Sequence, residues 1–72
     1  MTQEEITILT FLRGAPDEYF GRKEIARKAV RRSEFEENPH WVDAPLASLL
    51  VQGRIKQNES GQYRISHDGA DS

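Results

Sequence analysis

The 72-residue chain contains no cysteine. No disulfide can staple it and no thiolate can hold a metal, which excludes a disulfide framework and a zinc-finger pattern. Histidine is nearly as scarce, with His40 and His67 alone. That leaves too few imidazoles for a transition-metal site of the usual kind. The five glycines are scattered singly, so no phosphate-cradling loop is built and no cofactor is implied. No apolar run approaches the ~18 residues of a membrane span, and no signal-peptide pattern opens the chain. A soluble, cytoplasmic protein without membrane or metal partners is the expectation. A basic excess is missing as well. Ten Lys and Arg stand against twelve Asp and Glu, a formal net charge of −2. That balance argues against strong non-specific binding to nucleic acid.

Catalytic groupings are missing too. His40 has no nucleophile suggested beside it and reads as a surface residue. Glu34, Glu36 and Glu37 read as a solvated acidic stretch rather than paired acid–base carboxylates. The expectation is that the chain is not an enzyme.

The charge that is present is segregated. Between residues 22 and 32, Arg22, Lys23, Arg27, Lys28, Arg31 and Arg32 face one acid, Glu24. The N-terminal turn, residues 34 to 37 and the tail are acidic. A chain of this length forms one small domain, burying about 60% of its unfolded surface. Residues 1 to 66 carry the pattern of that domain. Residues 67 to 72 are polar, lack periodicity and are expected to be a disordered tail.

Thr2-Gln3-Glu4-Glu5 fits a capping box and opens a helix running to about Arg13, with Gly14 as cap and Pro16 blocking continuation. Ile8, Leu9, Phe11 and Leu12 give it a broad apolar face. Ile6 lies off that face, which predicts burial on more than one side. Tyr19 and Phe20 are β-prone and predict a very short strand, with Phe20 in the core. A second helix is expected from about Arg22 to Arg31, burying Ile25, Ala26, Ala29 and Val30. Lys23, Arg27 and Arg31 then share its opposite arc. Residues 33 to 40 read as a polar loop.

Asn38-Pro39 and Asp43-Ala44-Pro45 each offer a start for a third helix. A continuous helix from Pro39 would carry Pro45 in its interior, at a cost of ~3 kcal/mol. A turn at 39 to 42 followed by a helix over about 44 to 52 is therefore favoured, and a kinked single helix is the alternative. Val42, Leu46, Leu49 and Leu50 share its inner face, and Gly53 ends it. Two strands follow, joined by Glu59-Ser60-Gly61. With Gly61 in the left-handed position, Ile55 faces Ile65, Lys56 faces Arg64 and Gln57 faces Tyr63.

The stretches Lys23-Glu24-Ile25-Ala26, Leu46-Ala47-Ser48-Leu49-Leu50-Val51-Gln52-Gly53-Arg54-Ile55 and Gly61-Gln62-Tyr63-Arg64-Ile65 together resemble winged helix-turn-helix domains. The resemblance covers residues 2 to 66. It implies an α+β fold, a small winged helix of three helices and a two-stranded wing. In DNA-binding members the third helix enters the major groove, the second crosses the phosphate backbone and the wing touches phosphates. Carried over, Arg22, Lys23, Arg27 and Arg31 become candidate phosphate contacts, Lys56 and Arg64 candidate wing contacts, and Ser48 and Gln52 candidate base contacts on double-stranded DNA. A small transcriptional regulator or accessory module with weak, backbone-dominated binding is the expectation. The outward face of the third helix departs from the pattern. Ala44, Ala47 and Val51 are small and apolar, and Trp41 flanks them. That composition suits a close protein contact, so a protein-interaction winged helix, a homodimer or a subunit of a larger assembly, is the alternative. Trp41 reads either as an interface anchor or as a lid on the core.

Overall fold

The first helix, α1 (Gln3–Arg13), starts where the sequence places it. Thr2 Oγ1 accepts from the amide of Glu5 at 3.2 Å, and Glu5 Oε1 accepts from the amide of Thr2 at 2.7 Å. This reciprocal cap satisfies two amides that a bare helix end leaves unpaired. The computed structural model describes residues 2 to 66, so the expected tail at 67 to 72 lies outside the described residues. After α1 come α2 (Arg22–Lys28), α3 (Arg32–Glu37), α4 (Asp43–Val51) and a hairpin of β1 (Ile55–Gln57) and β2 (Tyr63–Ile65). The fold is α+β, compatible with a winged-helix arrangement, but it holds four helices where three were expected.

The extra helix is α3, in the stretch expected to be a loop. Its six residues are too few to display a helical period. Three local features favour it. Glu34 lies in the first turn, where an acid suits the helix dipole. Arg32 Nε lies 3.8 Å from Glu36 Oε1, one turn apart on the exposed side. Phe35 is half-buried against the core and anchors the helix. An isolated helix of this length would not persist in water, so the anchor decides.

The second helix is shorter than expected, ending at Lys28 rather than Arg31. A tertiary contact from fifteen residues away meets the helix at its end. Trp41 Nε1 donates to the carbonyl of Ala26 at 3.0 Å. A longer helix would give that carbonyl to the amide of Val30. Arg31 turns extended instead, with φ −69° and ψ 154°, and caps α3. Arg31 therefore does not share a helical arc with Lys23 and Arg27.

Turns fill residues 39 to 42, and α4 begins at Asp43, with Pro45 in its first turn where the missing amide costs little. Gly53 follows α4 at φ +74°. The hairpin register pairs Ile55 with Ile65, Lys56 with Arg64 and Gln57 with Tyr63. Asn58 donates its amide to Gln62 O at 2.9 Å, which closes the three-residue loop, and Gly61 supplies φ +82°. A single bridge joins Phe20 to Tyr63, so the short extra strand is present as one residue.

One core holds these parts together. Ile8, Leu9 and Leu12 of α1 meet Ile25 and Ala26 of α2, Leu46 and Leu49 of α4, and Ile55, Tyr63 and Ile65 of the hairpin, with Val42 beneath. Phe20 and Leu50 are half-buried at its edge, and the Phe20 ring packs 4.9 Å from that of Phe11. Ile6 is 44% exposed, which corrects the expectation that α1 is buried on more than one side. Positions 5, 8, 9 and 12 face inward, and Ile6 lies about 100° around the helix from Glu5. None of the described helices is long and apolar enough to cross a membrane.

Candidate nucleic-acid interface

The residues named as DNA contacts fall into three groups. On α2, Lys23 and Arg27 are four residues apart, exposed, and without an ion pair among the described residues. Arg31 is exposed and unpaired as well, but sits past the helix end. Arg22 is engaged: its Nη1 lies 2.8 Å from Asp43 Oδ1, at the start of α4. The pair is roughly half exposed and so contributes little to stability. Its consequence is positional, because it ties α2 to the start of α4. His40 adds an imidazole 3.8 Å from the other oxygen of Asp43.

Ser48 of α4 and Gln52, its C-cap residue, do not stand free. Ser48 Oγ donates to Glu5 Oε2 at 2.7 Å, and Gln52 Nε2 donates to the same oxygen at 2.9 Å. Gln52 Nε2 also lies 3.0 Å from Ser48 Oγ, and Arg54 Nε donates to Gln52 Oε1 at 3.0 Å. Glu5 is 5% exposed, a carboxylate in the interior whose oxygens are all engaged by donors. These bonds hold its pKa at about 2, against an ordinary 4.5. The Thr2 amide is the largest cause and the Ser48 hydroxyl the next, and they outweigh the opposing effect of desolvation. A side chain that reads bases must offer its donors and acceptors to the groove. Here the two polar groups of the outer α4 face are spent on an acid from α1. What remains outward is Ala44, Ala47 and Val51, all exposed, with Val51 at 89%.

On the hairpin, Lys56 and Arg64 face each other, as the register requires. Arg64 Cζ lies 5.2 Å from the centre of the Tyr19 ring, and its Nε is shut from solvent with no hydrogen-bond partner among the described residues. The cation–π contact offsets part of the like-charge cost of the pair.

Trp41 is half-buried, and its indole N–H is committed to Ala26, so it is held in place beside the core. Among the described residues no group of three or more His, Asp or Glu side chains could hold a metal.

Sequence reasoning placed Glu5 only in the capping box and missed its long-range role. The signal available was the i, i+4 spacing of Ser48 and Gln52, which puts two donors on one helix face. The Arg22–Asp43 and Trp41–Ala26 links left no local signal. No protein-family model matches the chain, and no curated protein or solved structure matches it either.

Proposed function

We propose that the chain is a cytoplasmic winged-helix module, a small transcriptional regulator or accessory domain that touches duplex DNA through phosphates and reads few bases. One observation carries this: Lys23 and Arg27 stand exposed on α2, without an ion pair among the described residues, on the helix that crosses the backbone in such domains. The engagement of Ser48 and Gln52 by Glu5 supports the second half of the reading, since it withdraws hydrogen-bonding groups from α4. Net charge −2 makes the binding weak and confines it to that patch. Fluorescence anisotropy of a labelled random duplex across a salt series tests the proposal. The expected result is weak binding whose log–log salt slope is about −0.9 for each phosphate contacted. A flat salt dependence would contradict it.

A protein-interaction role is the second reading, favoured by the 89% exposure of Val51 beside Ala44 and Ala47. Val51→Glu is expected to abolish any self-association while leaving the fold intact. Sedimentation as a monomer at high concentration would remove the homodimer form of this reading.

A further inference from the structure

A hollow of about 230 Å³ opens between α1, the α2–α3 junction and the turn before α4. It is lined by the half-buried Val30, Trp41 and Thr7 and by the exposed Gln3, Glu4 and Glu34. We propose that this hollow receives an arginine side chain from a basic segment of a partner protein. The inference is independent of the DNA reading, because it uses neither α2's exposed cations nor the hairpin.

Three observations point to that chemistry. Glu4 and Glu34 are both exposed, and neither forms an ion pair among the described residues. Two acidic side chains therefore line one opening that has no basic residue in its own lining. The Trp41 ring is oriented by the bond from its indole N–H to the Ala26 carbonyl. A fixed aromatic wall holds a cation at lower entropic cost than a mobile one. Thr7 Oγ1 donates to Gln3 O at 2.9 Å, so its hydroxyl oxygen keeps acceptor capacity toward a guanidinium. A guanidinium suits these parts better than an ammonium. It stacks flat on an aromatic face and forks two donors to a carboxylate. Its aliphatic stem would lie on Val30. An adjoining hollow shares Gln3, Thr7, Val30 and Glu34 but adds Arg31. The cation must therefore enter from the Glu4 and Trp41 side.

Trp41 is the single tryptophan, so its fluorescence reports the hollow directly. The full chain is titrated with N-acetyl-arginine amide, and in parallel with N-acetyl-citrulline amide, its neutral isostere. Indole and amide shifts of Trp41, Thr7 and Val30 are followed by NMR. Saturable change at these three sites is expected with the arginine probe, and binding at least about threefold weaker with citrulline. Glu4→Gln and Glu34→Gln, both at exposed positions, are each expected to weaken the arginine probe by about threefold. Equal response to the two probes would overturn the proposal, as would unchanged affinity in both variants. Shifts spread over all acidic surfaces without saturation would overturn it as well.

Discussion

The Ser48 hydroxyl donates to the Glu5 carboxylate at 2.7 Å, joining side chains 43 residues apart in the chain. That bond fastens the outer face of α4 to the first turn of α1. It also explains how a carboxylate only 5% exposed is tolerated, since buried charge needs several donors. The same residue caps its own helix and closes a tertiary contact, so its protonation should register in the stability of the whole fold.

Glu5 titrates at about 2 in the folded chain, below its ordinary 4.5. A depressed folded value means the unfolded chain takes up the proton first as pH falls. The stabilisation is complete above pH 4.5 and drains away as pH drops toward 2. Glu5→Gln is expected to lower Tm at pH 7 and to flatten the fall between these two values. Thermal melts by circular dichroism across that range check it. A variant with the same acid-side slope as the parent would assign the loss to other carboxylates.

Replacing Trp41 by Phe removes the donor to the Ala26 carbonyl while keeping an aromatic wall. The expected cost is about 1 kcal/mol by urea unfolding. Amide exchange should show altered protection at Val30, the residue whose amide could then bond Ala26. Unchanged stability and exchange would mean that the indole bond does not terminate α2.

Leu46→Ala should cost about 2–5 kcal/mol, because Leu46 is 1% exposed at the centre of the core. For a chain of this size that is a large share of the total stability. A loss under about 1 kcal/mol would show that α4 packs less firmly than described.

Gly61 sits at φ +82°, where a side chain is strained even though space is available. Gly61→Ala is expected to cost about 1 kcal/mol, and Gly61→Asn less, since Asn tolerates the left-handed region. Equal costs for the two would place the effect in packing rather than in backbone conformation.

Where local rules agreed, the fold was legible in the sequence. In the hairpin, the three-residue loop and the alternation of Ile55, Tyr63 and Ile65 demand the same register, and that register is present. The capping box of α1 and the start of α4 near Ala44 follow equally from short-range chemistry. Other features were decided at a distance. Helix α2 stops where Trp41 takes a carbonyl, and α3 forms because Phe35 finds the core. Neither partner is near in sequence. The polar face of α4 misled for the same reason: Ser48 and Gln52 look available until Glu5 of another helix is set beside them. Ile6 shows the opposite error, an apolar residue expected inside and found 44% exposed.

Lys23→Ala and Arg27→Ala are each expected to weaken duplex binding by a similar factor on every sequence tested. Each should also reduce the log–log salt slope by about 0.9. Loss confined to one sequence would point to base reading instead.

The most direct measurement is an amide chemical-shift titration of the chain with a random-sequence duplex at low and moderate salt. Shifts centred on Lys23 and Arg27 are expected, fading at the higher salt, with Ser48 and Gln52 little changed. Largest shifts at Ser48 and Gln52, or none at Lys23 and Arg27, would contradict it.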